Sequence, residues 1–416
     1  FYRVSVVFTS GAARLPEDAA AALRDWQAGG GDTHSDIPVP GRWDLVIDGL
    51  FGIGLARPLA GRHASLVGHI NALGLPVLAL DIPSGLHSDT GAVLGCAVRA
   101  SHTLTFIARK PGLYTLDGPD HAGTVYCATL GTEAWTEQAP CGYLLDAGVR
   151  AALPPRPANF HKGMAGDVAI IGGAAGMVGA ALISGRAALA AGAGRVFVGL
   201  LAEDGPAWDP LQPELMLRAP GELLEHCAVL ALGPGMGTGT RAAQLLHQAL
   251  RGTATLVLDA DALNLVATRG NLAKLFARRS APCLLTPPPA EAARLLGCAT
   301  ADVQRDRLAA VQALAGRYHA LVLLKGNGSL LATPDGHWWI NPTGNPGMAS
   351  AGMGDALTGL LAGLLAQRME AAQALQLATW VHGQAGDDLA SSGEGPLGIT
   401  ATAVIQAARR ALNRKP

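Results

Sequence analysis

The sequence predicts an α/β protein of two domains, each built on a parallel sheet. Three observations lead there. The chain has 416 residues, more than one hydrophobic core usually serves. It is 49% apolar and only 15% charged, as a well-packed globular protein is. Short apolar runs alternate with helix-periodic stretches, which is the βαβ pattern of a parallel sheet.

In the first part, strands are expected at 4–8, 45–47, 77–80 and 104–107, with helices at 17–27 and 63–73. The proline-rich stretch Leu153-Pro-Pro-Arg-Pro-Ala-Asn-Phe-His161 reads as a linker. The division drawn is therefore a first domain at 1–145, a linker at 146–160 and a second domain at 161–416. A new α/β pattern starts at Gly166, with strands at 168–171, 195–199, 228–232, 255–258, 283–285 and 321–324. A helix is expected at 180–191, and the last third is mostly helical.

Composition excludes several functions. Net charge near −1 speaks against nucleic acid or a membrane surface as main partner. No apolar run reaches membrane-spanning length, since 356–366 is short and ends at Gln367-Arg368. The six Cys are scattered with no ligand-like spacing and read as reduced thiols of a cytoplasmic protein. Of 31 Lys plus Arg, only Lys110, Lys162, Lys274, Lys325 and Lys415 are lysine, and the first, second and fourth adjoin glycine motifs. A compact ammonium in a tight phosphate site is not replaceable by a guanidinium fork, although turn chemistry alone would also place Lys there.

The most informative segment is Asn345-Pro-Gly-Met-Ala-Ser-Ala-Gly-Met-Gly-Asp355, a glycine loop entering an apolar helix at 356–365. Gly352 and Gly354 allow backbone N–H groups to point at one anion, with the helix dipole behind them. Asp355 beside such an anion suits proton abstraction next to a phosphoryl group, or else it only caps the helix. Further glycine turns follow strands at Gly172-Gly-Ala-Ala-Gly-Met-Val-Gly179 and Gly233-Pro-Gly-Met-Gly237. Asp259 and Asp261 end another strand, where they could hold Mg²⁺ through water or cap the next helix. Lys325-Gly-Asn-Gly-Ser329 suits a nucleotide's phosphates, and also reads as a plain hairpin turn before a strand at 330–332. In the first part, Asp48 and Asp81 end neighbouring strands, which suits acid/base or cation-binding roles or simple turn initiation.

Together these motifs carry a resemblance. The ordered set Gly-Gly-x5-Gly-Ala (172–180), Gly-Pro-Gly-Met-Gly (233–237), Asp-Ala-Asp-Ala-Leu-Asn (259–264), Thr-Pro-Pro-Pro-Ala-Glu (286–291), Lys-Gly-Asn-Gly (325–328), Asn-Pro-Thr-Gly-Asn-Pro-Gly-Met-Ala (341–349) and Gly-Met-Gly-Asp (352–355) resembles the ADP-dependent NAD(P)H-hydrate dehydratase over about 158–412. That implies a ribokinase-like fold. It also implies that Lys325, Gly326, Asn327, Gly328, Ser329 and Gly354 contact the adenine nucleotide, while Asp355, Ala180 and Gly237 lie against the hydrated nicotinamide. Pro288 stands where the family usually has a substrate-contacting His, and Ala290 replaces its Gly. Proline cannot supply an imidazole's hydrogen bonds.

Asp48-Gly-Leu-Phe-Gly-Ile-Gly-Leu-Ala-Arg-Pro58, Asp81-Ile-Pro-Ser84-Gly and Thr103-Leu-Thr-Phe-x3-Lys110-Pro-Gly112 resemble the NAD(P)H-hydrate epimerase domain, a Rossmann-like fold. By that resemblance Asp48 and Ser84 help hold K⁺. Gly52, Ile53, Gly54, Leu55, Ala56, Arg57 and Pro58 cradle the substrate's diphosphate, and Asp81 contacts the hydrated ring. The family's Asn-Asn-Gly-Gly-Asp loop precedes the strand with which this sequence opens, so weak epimerisation is expected of the chain as given.

The resemblance implies a bifunctional repair enzyme that interconverts the R and S hydrates of NADH and NADPH (NADHX and NADPHX). It dehydrates the S form with ADP, releasing AMP and phosphate. Asp355 and Asp81 are the expected catalytic residues; ADP, Mg²⁺ and K⁺ are the expected cofactors. A homo-oligomer without nucleic-acid or membrane partners is expected. The alternative is a ribokinase-like small-molecule kinase with a non-catalytic N-terminal binding module.

Overall fold

The computed structural model describes residues 3–9, 15–38, 41–132 and 140–414. They form two compact units, one of Phe1–Leu113 and Asp117–Glu137, the other of Tyr114–Leu116 and Gln138–Pro416.

The first unit holds strands β1 (Val6–Val7), β2 (Thr33–His34), β3 (Val46–Asp48), β4 (Val77–Leu80), β5 (His102–Phe106) and β6 (Thr124–Ala128). Its helices are α1 (Glu17–Ala28), α2 (Gly61–Ala72) and α3 (Gly118–Ala122). β3, β4, β5 and β6 form one parallel sheet in that order, and β1 pairs with β2. Its core gathers Val67 and Ile70 of α2 against Val77 and Val98. Because β3, β4 and β5 are parallel neighbours, whatever follows their C-terminal ends meets on one edge.

The second unit holds β7 (Tyr143–Leu144), β8 (Asp167–Gly172), β9 (Arg195–Leu200), β10 (Met216–Leu217), β11 (Val229–Leu232), β12 (Thr255–Leu258), β13 (Cys283–Leu285), β14 (Leu321–Leu324), β15 (Ser329–Ala332) and β16 (Trp338–Asn341). Its helices are α4 (Val178–Ala190), α5 (Pro220–Leu223), α6 (Thr240–Arg251), α7 (Ala260–Thr268), α8 (Gly270–Phe276), α9 (Pro289–Leu296), α10 (Thr300–Arg305), α11 (Arg307–Tyr318), α12 (Met353–Ala366), α13 (Ala371–Ser391) and α14 (Ala401–Asn413). The sheet runs β10-β9-β8-β11-β12-β13-β14-β15-β16-β7. It is parallel through β14, and β15 is antiparallel to both neighbours. Strands buried on both faces explain the unbroken apolar runs. One core packs α4, α12, α13 and α14 on one face, and a second packs α6 to α11 on the other.

Helix α12 lies against α4 because its facing side is small. A Cβ on Gly359 would stand 2.0 Å from the Ser184 carbonyl, and one on Gly363 would stand 2.5 Å from that of Ala188. The expected first domain ended at 145, yet Tyr143–Leu144 pairs with β16, and Tyr143 stacks on Trp339. The expected linker begins as a 3₁₀ turn, Ala147–Ala152, whose start is capped by Asp146. No described helix is long and apolar enough to cross a membrane.

Candidate active sites

In the second unit the strand order reverses between β8 and β11, where β8 leads on to β9 on one side and β11 leads on to β12 on the other. Such a switch point leaves a crevice at the strands' C-terminal ends. Both ends are glycine turns bonded to each other: the Gly173 and Ala174 amides donate to the Pro234 and Gly235 carbonyls, at 2.9 and 2.6 Å. Asp261 accepts from the Gly237 amide at 2.8 Å and so orients the second turn. The Ser184 hydroxyl bonds both the Ala180 and the Asp355 carbonyls, at 3.0 and 2.9 Å, which brings the starts of α4 and α12 together.

The next strand ends complete the crevice. Asp259 follows β12 and is 2% exposed. It begins α7, but its carboxylate does not cap that helix. It accepts instead from Lys325 Nζ at 2.8 Å and from the Thr358 hydroxyl at 2.9 Å. Lys325, at the end of β14, is anchored by its own amide to the Pro287 carbonyl at 3.0 Å. Pro288 and Pro289 then open α9, which carries Glu291 in its first turn. A Cβ on Gly354 would lie 3.0 Å from Lys325 Nζ, so the lysine head packs closely against this turn.

Asp355 stands in the first turn of α12, behind Gly352 at φ 85°. No donor among the described residues holds its carboxylate, so the capping alternative has no hydrogen bond here. Burial, with the Asp259 charge adding, pushes Asp355 up to about 6, against the opposing pull of Lys325. Glu291 is pushed up to about 7 by burial and then by Asp259 and Asp261. Its Oε2 is buried with no partner. His382 on α13 is held down to about 4 by burial first and by Lys325, and so is neutral at pH 7.

In the first unit, Asp48 ends β3 and is 1% exposed. Ser84 donates its hydroxyl to Oδ1 at 2.6 Å and its amide to Oδ2 at 2.8 Å, and the Leu50 amide adds a third bond at 3.3 Å. Burial nevertheless raises the Asp48 pKa. The described residues offer this buried carboxyl no cationic side chain within ion-pair distance. Asp81 follows β4 in the left-handed region at φ 69°. Its carboxylate is held by Lys110, by the Thr105 hydroxyl at 3.3 Å and by the Phe106 amide at 3.2 Å. Gly52 passes close enough that a Cβ there would lie 3.5 Å from Asp81 Oδ2. Of the 52–58 loop only Leu55 is buried, and the other six residues line an exposed stretch.

The structure thus gathers Ala180, Gly237, Lys325, Gly354 and Asp355 around one crevice, with Pro288 at its next strand end. In the first unit it brings Asp81 beside Gly52 and Asp48 against Ser84. Sequence reasoning weighed Lys110 as a phosphate-site cation or a turn residue, and the structure instead places it on Asp81. That reasoning also gave no role to Glu291, although Glu291 ends the quoted 286–291 motif, and it missed Thr358 and Arg307.

The comparisons follow this geometry. The family described as NAD(P)H-hydrate dehydratase matches residues 168–410, and that described as YjeF-related protein N-terminus matches residues 2–112. A bifunctional NAD(P)H-hydrate repair enzyme of Leishmania major is 41% identical, over 94% of this chain and 77% of the relative. That of Escherichia coli K12 is 38% identical, over 96% of this chain and 78% of its own length. Among solved structures, an ADP/ATP-dependent NAD(P)H-hydrate dehydratase from Bacillus subtilis, co-crystallised with ATP and Mg²⁺, is 28% identical with a TM-score of 0.58. It covers 66% of this chain and 98% of its own. A ribokinase-like superfamily protein from Enterococcus faecalis is 27% identical with a TM-score of 0.58, covering 66% of this chain and 96% of its own. The second unit is ribokinase-like, and the chain belongs to the family of bifunctional NAD(P)H-hydrate repair enzymes.

Proposed function

We propose that this chain repairs hydrated NADH and NADPH: the second unit dehydrates the S hydrate with ADP, and the first interconverts the R and S epimers. The observation that carries the dehydration is Asp355, uncapped at a glycine-opened helix start and raised to about 6 beside Lys325. Hydroxide is a poor leaving group, and phosphorylation makes it a good one. The substrate hydroxyl gives its proton to Asp355 as its oxygen bonds the β-phosphoryl of ADP, and the bond to AMP breaks. The carbon–oxygen bond then breaks, phosphate leaves with its electron pair and takes the neighbouring carbon's proton, and the ring double bond is restored. A carboxyl titrating near 6 is ionised at pH 7 yet basic enough to accept that proton. Lys325 and the α12 amides offset the charge on the transferring group.

Among the described residues no cluster of three or more His, Cys, Asp or Glu could cage a metal ion. Mg²⁺ is commonly held by one or two carboxylates plus substrate phosphates, and the unpartnered Glu291 oxygen fits that mode. Bound there with the nucleotide, Mg²⁺ would neutralise phosphate charge. In the first unit the buried Asp48 carboxyl, without a cationic side chain, fits a K⁺ site shared with Ser84. Asp81, oriented by Lys110, is the proposed acid/base of the epimerisation.

The test supplies hydrated NADH with ADP and follows the absorbance of the reduced ring together with AMP. Recovery of both, in equal amounts, is expected. A phosphorylated nicotinamide that accumulates without recovery of absorbance would overturn the dehydration reading.

A further inference from the structure

Arg307 is a misplaced cation. It occupies the first position of α11, where a positive charge opposes the helix dipole. It is also 2% exposed. Buried guanidinium groups are normally paired with a carboxylate. Among the described residues none lies within ion-pair distance of Arg307, and burial alone holds its pKa down to about 10.

Its partners are carbonyl and hydroxyl oxygens. Nη2 donates to the Lys325 and Gly328 carbonyls, each at 3.4 Å, Nη1 to Gln304 Oε1 at 3.1 Å and Nε to the Thr115 hydroxyl at 3.1 Å. Thr115 passes this on, donating to the Asn327 and Gly328 carbonyls at 3.3 and 3.2 Å. Gly326, at φ 142°, lies directly over the guanidinium, and a Cβ there would stand 2.6 Å from Nη1. Three carbonyls of the 325–329 turn are therefore drawn to one side. The Asn327 and Gly328 amides have no acceptor among the described residues.

We propose that Arg307 is a positioning residue for the nucleotide: it gathers the carbonyls of the 325–329 turn beneath the chain, frees the amides for phosphate, and places an uncompensated positive charge behind the diphosphate. This rests on the reading of that turn as the nucleotide site. Arg307 touches the turn and not the ligand, so its effect scales with the ligand's charge. The discriminating quantity is the affinity ratio of ADP to adenosine. Loss of local structure weakens both ligands, whereas loss of the charge and of amide orientation weakens ADP alone.

The experiment measures ADP and adenosine affinity by calorimetric titration and displacement for the full chain and for Arg307→Gln, Arg307→Lys and Lys325→Ala. A charge-assisted contact of ordinary strength corresponds to about 10- to 100-fold in affinity. Arg307→Gln is expected to weaken ADP within that range, to move adenosine by less than about 3-fold, and to raise the ADP KM with little change in kcat. Arg307→Lys keeps the charge and should retain most of the ratio. If Arg307→Gln binds ADP as the unmodified chain does while Lys325→Ala does not, the proposal fails and the nucleotide reading stands. If neither variant weakens ADP, the reading of the turn fails, and the proposal with it. If Arg307→Gln does not fold, Arg307→Lys decides: an ADP-to-adenosine ratio near that of the unmodified chain supports the proposal, and equal loss of both ligands overturns it.

Discussion

Each unit pairs one of the chain's scarce lysines with an aspartate at a strand end, but the two pairs leave opposite groups free. In the first unit Lys110 holds Asp81, the candidate acid/base itself. In the second, Lys325 is held by Asp259, and the candidate base Asp355 is left without a hydrogen-bond donor among the described residues. The Lys110 contact orients the group beside which it sits. The Asp259–Lys325 pair leaves a net negative influence on Asp355 and helps raise it to about 6. One ion-pair chemistry thus serves orientation in one unit and basicity in the other.

The sharpest way to break this contrast is Asp355→Asn. An amide keeps the shape of an uncapped side chain and loses the base, so ADP-dependent recovery of reduced-ring absorbance should fall by about 10²–10⁴-fold. The circular dichroism spectrum should be unchanged. Near-normal turnover by the purified variant would leave Asp355 with no catalytic part.

A smaller effect tests the first unit's buried acid. Ser84→Ala removes the 2.6 Å bond that offsets the burial of Asp48. Leaving a buried carboxylate short of a partner costs about 1–3 kcal/mol. The sign depends on pH. Asp48 has a folded pKa above its ordinary 3.8, so its ionised form weighs against folding at neutral pH and not below 3.8. Urea unfolding should therefore show the loss at pH 7 and a diminishing loss as pH falls toward 3.8. Equal stability of variant and unmodified chain at pH 7 would mean that the bond does not hold the acid.

The finest adjustment is the acid limb of dehydration. Asp355 acts ionised, so kcat/KM should fall as pH drops through about 6. Asp259→Asn removes a charge that raises Asp355 and frees Lys325, which lowers it. Both changes move the limb to lower pH. A limb that stays in place or rises would show that Asp259 does not tune the base.

Most strands were legible as short apolar runs, and 77–80, 255–258, 283–285 and 321–324 coincide with β4, β12, β13 and β14; β6, β10 and β16 were not expected, since edge strands and strands of mixed composition carry no such run. The glycine turns were legible too, since a turn at a strand end demands particular residues locally, and so was the 325–329 hairpin between antiparallel β14 and β15. The domain limit was not. Tyr143–Leu144 joins the second sheet through Trp339, almost two hundred residues away, and no local signal encodes a strand of that length.

By itself the sequence determined which residue types stand at which strand ends, because propensity, glycine freedom and apolar period act between near neighbours. It thereby placed Asp81, Lys325, Gly354 and Asp355 among the candidates. Only the tertiary structure decided what each charge faces. Asp259 reads as a water-mediated Mg²⁺ ligand or a helix cap until the fold brings Lys325 and Thr358 to it across 66 and 99 residues of chain. Arg307 carries no signal along the chain, and only the fold buries it beneath Gly326. Burial and Coulomb interaction depend on distance in space, and an amino-acid string states only distance along the chain.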